Sequence, residues 1–367
     1  MKKILSLLLI FTLLFPTIAM AEAQQLDKED YVDIQLFLEV YSYIKKEYPL
    51  EYEDSKILEG ALKGMLESLD PYSSYYNVEE AEDLYKQLTG SFSGIGIYIE
   101  PKEGYINVRD TIKGQPAETA GVKKGDLIIK VDNKDIANMP LQQVSKLIQG
   151  PKDTTVKLSI KRGEKLLDIN VKRAVVSISP VDYKIIDDKI GYIEIAEFTK
   201  NVSKEIEKIL RELDKKNLKK IILDVRDNPG GLLTEVVSIS DLFIEKGPIV
   251  HIKQNKKPLI THVSTLEKPK YEIVVLINGN SASASEILAG AVKERKTGKV
   301  IGTTTYGKGT VQTVISMDDG SVLKMTTAEY LLPNKTSING KGVEPDIKVE
   351  NTEKEDLQLK KAIEILK

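Results

Sequence analysis

The sequence predicts a mixed α/β protein: helices first, then a β-rich stretch, then a region where strands and helices alternate. Three observations carry this expectation. The runs Ile221-Ile222-Leu223 and Ile273-Val274-Val275-Leu276 are apolar on both faces, as strands covered by helices must be. Between Gly90 and Lys172 apolar residues alternate with polar ones and glycines punctuate them, the pattern of half-buried strands. From Asp30 to Leu88 the apolar residues (Val32, Ile34, Leu36, Phe37, Val40, Tyr41, then Ile57, Leu58, Leu62, Met65, Leu66) recur at helical spacing.

The chain begins with Lys2 and Lys3 ahead of an apolar run that ends in Ala19-Met20-Ala21, the layout of a secretory signal. The expectation is an exported, extracytoplasmic protein cleaved near Ala21, with Pro16 and the alanine pair favouring cleavage over the alternative of an uncleaved anchor. No later stretch is apolar enough to span a bilayer, and no cysteine follows that could carry a lipid. Asp70 and Pro71 break the helical segment. In the β-rich stretch Ile95, Ile97 and Ile99 share one face of an expected strand. Further strands are expected at 105–108 and 127–131, a helix at 141–148, and a last strand pair over 156–171 around Arg162-Gly163. After about Ser177 the expected order is strand 190–195, helix 202–213, strand 220–225, helix 232–244, strand 272–278, helix 284–296 and strand 300–303.

The composition narrows the chemistry. With 53 Lys and Arg against 55 Asp and Glu among 367 residues, no net field recruits nucleic acid. Cysteine is absent, which excludes disulfides and a thiol nucleophile, and the only histidines, His251 and His262, are too few for an imidazole-rich metal site. Neither histidine has the setting of a catalytic base: His251 alternates with apolar residues in a strand-like run and His262 follows Pro258. No metal and no organic cofactor is expected.

The most informative stretch runs from Asn278 to Glu286, out of a buried strand and into a helix. A serine there presents its oxygen at the carboxyl end of the sheet, beside unpaired helix N–H groups that can stabilise an oxyanion. Ser283 followed by Glu286 equally spells a capping box. Without a histidine the base must be a lysine, whose pKa has to fall from about 10.4 toward 7 or 8 by desolvation or neighbouring positive charge. Lys308, within Tyr306-Gly307-Lys308-Gly309, has no acid near it in sequence, and Gln312 shares its face in the extended run that follows. Gly302 and Gly307-Lys308 also suggest a phosphate loop, but Gly309 stands where Ser or Thr is required and a strand follows instead of a helix. A third piece, Asp227-Asn228-Pro229-Gly230-Gly231, is another glycine turn between a buried strand and a helix. Its amides can face an anion or simply allow the turn.

Together these pieces resemble the carboxyl-terminal processing proteases, tail-specific Ser-Lys peptidases of family S41. The similarity rests on Ser-Ala-Ser-Ala-Ser-Glu at 281–286, Gly-Lys-Gly with Gln at 307–312, Asp-Asn-Pro-Gly-Gly at 227–231 and the closing Gly-Lys-Gly-Val-Glu-Pro-Asp at 340–346. The resemblance implies Ser283 as nucleophile, Lys308 as general base, Gln312 as its orienting partner, and the N–H groups of Gly231 and Ala284 as oxyanion donors. It also implies a PDZ domain at residues 90–176, with Gly94, Ile95, Gly96 and Ile97 as its carboxylate-binding loop and Gly114-Gln115-Pro116-Ala117 with 120–126 as its second hallmark. Consecutive free amides in such a loop hold a terminal carboxylate while a strand edge pairs with the peptide. The remaining implied parts are a helical segment at 22–89 supporting a homodimer, a crotonase-like core of strand-strand-helix units at 177–346 and a tail helix at 347–367. The expectation is an exported serine endopeptidase that reads protein C-termini, without nucleotide or nucleic acid. The rival is a catalytically silent PDZ scaffold.

Overall fold

The computed structural model describes residues 28–89, 91–177 and 179–367, so the expected signal segment at 1–21 lies outside the described residues. The chain divides into two units, residues 1–58 and 59–367. The first contains α1 (Lys28–Glu47) and the start of α2 (Asp54–Glu67). Lys45 pairs with Asp54 at 3.0 Å, while Ile34, Leu36, Phe37, Leu38 and Val40 on α1 stand exposed. Among the described residues no helix is long and apolar enough to cross a membrane.

In the second unit the helical run stops where Asp70 and Pro71 predict. The Asp70 carboxylate accepts the N–H groups of Tyr72 (2.8 Å) and Ser73 (2.9 Å) and the Ser73 hydroxyl (2.9 Å), a side-chain-closed turn. Next come β1 (Ser74–Tyr76) and α3 (Val78–Thr89). Asn77 and Glu80 cap α3 reciprocally, each side chain taking the other's N–H at 3.0 Å.

The β-rich stretch contains β2 (Ser91–Gly94), β3 (Ile97–Lys102), β4 (Tyr105–Thr111), α4 (Pro116–Thr119), β5 (Leu127–Val131), β6 (Lys134–Asp135), α5 (Leu141–Ile148), β7 (Thr155–Arg162), β8 (Lys165–Lys172) and β9 (Ala174–Ser177). The strand expected through Ile95, Ile97 and Ile99 is in fact interrupted: Gly96, at φ 77°, turns the chain, so β2 pairs with β9 and β3 with β4. A side chain at 96 would also strike Gln115, with Cβ atoms 2.4 Å apart. The sheet runs β3-β4-β5-β7-β8, which leaves β3 an edge strand. Its core is Val108, Ile128, Ile136, Val144, Val156 and Leu158, all fully buried.

The remainder contains the expected strands and helices together with further strands outside the expected order: β10 (Val181–Ile186), β11 (Ile190–Ile195), α6 (Val202–Lys215), β12 (Lys220–Asp224), α7 (Leu233–Asp241), β13 (Gly247–Gln254), β14 (Ile260–Ser264), β15 (Glu272–Ile277), α8 (Ala284–Arg295), β16 (Gly298–Gly302), β17 (Thr310–Ser316), β18 (Val322–Leu331), β19 (Ile347–Lys348) and α9 (Leu357–Leu366). A six-stranded sheet runs β10-β11-β12-β15-β16-β19, parallel from β11 onward. Successive side chains point to opposite faces. Ile221, Leu223, Ile273 and Val275 therefore enter the core shared with α6, α7, α8 and a second sheet, while Ile222, Val274 and Leu276 pack with Ala362 and Leu366 of α9. The second sheet runs β1-β18-β13-β14, with β17 on β18.

A clamp fastens α9 to the end of β12. Arg226 donates from Nε and Nη2 to Asp224 (2.9 and 2.6 Å), from Nη1 and Nη2 to Asp356 (2.8 and 2.9 Å), and from Nη1 to Gln358 (3.1 Å). Asp224 is buried, and the Tyr192 hydroxyl (2.7 Å) and the Arg226 backbone N–H (3.0 Å) also donate to it. Removing one member of such a pair leaves a buried charge without its partner. Arg226→Ala is expected to lower unfolding stability by about 3 kcal/mol, read as a lower urea midpoint at unchanged slope.

Candidate active site

Two strand-to-helix turns meet at the carboxyl end of the parallel sheet, where open α/β sheets place their sites. In the first, between β15 and α8, three serines have different surroundings. Ser281 donates to the Val225 carbonyl at 2.7 Å and Ser285 to the Asn228 carbonyl at 2.9 Å; both are fully buried. Ser283 lies between them at φ 55°, ψ −112°, a strained region for a residue with a side chain. The capping-box reading holds: Glu286 accepts the Ser283 N–H at 2.8 Å, and the Ser283 side chain faces the Glu286 N–H, which bonds to the Ser283 carbonyl at 2.9 Å. The turn is held by its flanking serines as well, and among the described residues the Ser283 hydroxyl donates its proton to no acceptor.

The second turn, between β12 and α7, packs onto the first. A Cβ at Gly230 would lie 2.8 Å from the Ser283 Cβ, and one at Gly231 would lie 2.4 Å from the Phe198 carbonyl oxygen. Asn228, fully buried, directs the amides here. Its Oδ1 takes the Gly230 N–H at 2.8 Å, its Nδ2 donates to the Ile195 carbonyl at 2.7 Å, and its own carbonyl receives the Ala282 N–H at 3.0 Å. Gly230 is thereby spent internally. Among the described residues no acceptor takes the N–H of Gly231 or of Ala284.

Lys308 reaches the same place from the loop between β16 and β17. Ser283, Ala284, Gly230, Gly231, Lys308, Gln312, Lys324 and Tyr330 line one cleft of about 310 Å³. Burial, and secondarily the Lys324 ammonium, pull the Lys308 amine below the ordinary lysine value, against the opposing pull of Asp70 and Glu286. Among the described residues its Nζ makes no hydrogen bond or ion pair; it rests 4.5 Å from the centre of the Tyr72 ring. Gln312 lines the cleft, but its amide donates to Thr310 (3.0 Å) and Thr326 (3.1 Å), and it forms no hydrogen bond with Lys308. A register shift between Val311 and Gln312 interrupts the plain alternation from which a shared face was inferred.

The loop itself is anchored by Glu286, which is completely buried. Its carboxylate accepts four donors: the N–H of Ser283 (2.8 Å), Gly307 (2.7 Å) and Lys308 (2.9 Å) and the Thr305 hydroxyl (2.6 Å); the Tyr330 hydroxyl, 3.4 Å away, has the Lys308 carbonyl nearer at 2.5 Å for its one proton. Burial pushes the Tyr330 hydroxyl well above the usual tyrosine value, which keeps it a donor. The closing motif latches the loop from outside: the Gly340 N–H meets the Gly307 carbonyl at 2.8 Å, and the Val343 N–H meets the Thr305 hydroxyl at 2.6 Å. A carboxylate already holds the amides of 307 and 308, so this glycine-lysine loop cannot cradle a phosphate.

Sequence reasoning missed Tyr72, Asn228, Tyr330 and Lys324, and missed the reach of Glu286. Only Asn228 stood in a quoted motif, and nothing local announced its side-chain role. The histidines sit as expected of structural residues: His251 is buried, its ring nitrogens 2.8 Å from Thr261 Oγ1 and 3.0 Å from the Pro333 carbonyl, and His262 lies on β14 beside Val250. In the β-rich stretch Ile95 is buried and its carbonyl accepts the Ala117 N–H at 2.8 Å, while among the described residues no acceptor takes the N–H of Ile95 or Gly96. That loop opens directly into the free edge strand β3. The second hallmark is pinned by Arg162, which grips buried Asp126 at 2.7 and 2.8 Å and the Gly121 carbonyl at 2.7 Å.

Glu286→Gln conserves shape but turns an NH2 group toward donors, so the variant is expected to lose about 2–4 kcal/mol of stability. Cleavage should fall with it, checked by thermal unfolding beside an activity assay.

Comparison with known proteins agrees with this geometry. The peptidase family S41 model matches residues 189–349, a PDZ domain model residues 108–162, and the model of the activating protease CtpB N-terminal domain residues 16–80. The carboxy-terminal processing protease CtpA of Bacillus subtilis is 40% identical over 314 residues, covering 84% of this chain and 67% of the relative. The carboxy-terminal-processing protease of Bartonella bacilliformis is 38% identical over 336 residues, covering 88% and 76%. Among solved structures, the photosystem II D1 C-terminal processing protease superposes with a TM-score of 0.52 at 30% identity over 90% of each chain. The chain belongs to peptidase family S41: it is a serine-type peptidase of the carboxy-terminal processing group and carries a PDZ domain.

Proposed function

We propose that this protein is an exported endopeptidase that captures the free C-terminus of a protein substrate on its PDZ domain and cuts upstream with a Ser283-Lys308 dyad. The observation that carries the reading is the combination at one cleft: a strained serine whose hydroxyl donates to no acceptor, two amides without an acceptor, and a half-buried lysine without an acid partner, all among the described residues. The neutral Lys308 amine takes the Ser283 proton as Oγ attacks the peptide carbonyl. The developing oxyanion lies against the N–H groups of Gly231 and Ala284. Collapse breaks the C–N bond, the leaving amine takes the proton from Lys308, and an ester to Ser283 remains. Water then attacks the ester, Lys308 takes its proton and returns it to Ser283 Oγ, and the shortened substrate leaves as a carboxylic acid. Gln312 is assigned to orient the amine once substrate fills the cleft.

At the recognition end, the amides of Ile95 and Gly96, which have no acceptor among the described residues, suit a terminal carboxylate, with Gly94 and Ile97 framing the loop, and the β3 edge suits strand addition by the peptide. The working division is residues 1–21 as a cleaved signal, 22–89 as a helical support, 90–176 as the PDZ domain, 177–346 as a crotonase-like peptidase core and 347–367 as a tail helix. The exposed apolar residues of α1 support a homodimer through the N-terminal helices.

The test is mass spectrometry of the products from denatured model proteins that differ only in their last three residues. Ser283→Ala and Lys308→Arg are each expected to lose at least about a thousandfold in kcat/KM; normal cleavage by either variant overturns the dyad. A silent scaffold would bind the tails and release no fragments. The reaction needs the free amine, so kcat/KM should rise with pH through the lysine's apparent pKa. Burial and Lys324 place that rise below the ordinary value of about 10.4.

A further inference from the structure

We propose that Tyr72 is a positioning residue for the Lys308 amine: its ring face holds Nζ and keeps water from it, in the place where another lysine would have a carboxylate. The proposal rests on the reading of Lys308 as the base. Nζ lies 4.5 Å from the ring centroid, which is stacking distance for a cation on an aromatic face. A carboxylate there would fix the lysine in its protonated form. A ring attracts the ammonium, excludes solvent and cannot take the proton, so the amine is held in place without being locked in the charged state.

The ring is itself held by a rigid frame. The Asp70 carboxylate receives the Tyr72 N–H at 2.8 Å, and Ser73 Oγ receives the Thr326 N–H at 3.0 Å, tying the turn to β18. Thr326 Oγ1 in turn takes the Gln312 amide at 3.1 Å. Immediately after the turn, β1 pairs with β18 in the register Ser74 to Lys324. The groups facing the amine come from every side: Lys324 from β18, Glu286 from α8 and Asp70 from the turn, while the Tyr306 side chain adjoins the Tyr72 hydroxyl. Tyr72 lies far upstream of residues 189–349, so the stretch that matches the S41 model does not contain the cover over its own base.

The test is the pH profile of kcat/KM for the full chain on a fluorogenic peptide with an apolar free C-terminus, with KM and kcat separated. Tyr72→Phe keeps the ring and should stay within about twofold of wild type at every pH. Tyr72→Ala admits water, so the amine's pKa rises, the acid limb moves up by about one pH unit, and kcat/KM near pH 7 falls about tenfold while recovering at high pH. Tyr72→Leu stays dry but lacks the π face, so its acid limb should lie below that of the Phe variant. If Ala and Leu both keep the wild-type limb, or if Ala loses activity equally at all pH, Tyr72 is only a wall and the proposal fails. If Tyr72→Ala does not fold by circular dichroism, the Leu and Phe limbs decide alone. Full activity in Lys308→Ala would sink the reading of the base itself, a separate result.

Discussion

The site depends on one buried carboxylate. Glu286 gathers the backbone of the serine turn and the backbone of the lysine loop onto a single charge. An unpaired carboxylate in such a place would cost several kcal/mol. Here it accepts three amides and the Thr305 hydroxyl, and it sits in the first turn of α8, where the helix N-terminus favours negative charge. A residue that would be a liability alone becomes the joint between two segments about twenty residues apart. It takes main-chain amides and the Thr305 hydroxyl, and among the described residues its carboxylate makes no hydrogen bond to the Ser283 or Lys308 side chain.

The strain at Ser283 is affordable for a related reason. A backbone region of this kind costs about 1–3 kcal/mol and persists only where its surroundings over-determine it. Ser281, Ser285 and Asn228 supply those restraints by hydrogen bonds across the two turns, and Gly230 provides the closeness that a side chain would forbid. The orientation of the amides follows from the same contacts. Asn228 occupies the Gly230 N–H, whereas among the described residues the N–H of Gly231, which lines the cleft, has no acceptor.

Local pattern made much of this legible. The helix expected at 141–148 and the strands at 190–195 and 127–131 fall where the structure has α5, β11 and β5, since amphipathic and buried apolar runs carry their own period. The three motifs that suggested chemistry do converge on one cleft. What the sequence did not disclose is long-range. Tyr72 reaches Lys308 across more than two hundred positions, and it does so because β1 adds to a strand near the other end of the chain. Gly96 was misread as strand because an alternating pattern does not reveal a positive φ. Gln312 reads as a neighbour of Lys308 on spacing alone, but a register shift and two threonines give its amide other partners.

From Ala284 to Val292 every residue of α8 is buried, and Gly290 lies so close to Leu332 that an added methyl would sit 2.4 Å from it. Over that stretch the helix after Ser283 has no solvent side and no slack; its last turn, Lys293 to Arg295, is partly exposed. Divergence toward new substrates has little scope there. It falls instead to the outer walls of the cleft, to positions such as Leu84, Leu88 and Val314, where a changed side chain reshapes what enters without disturbing how the bond is cut.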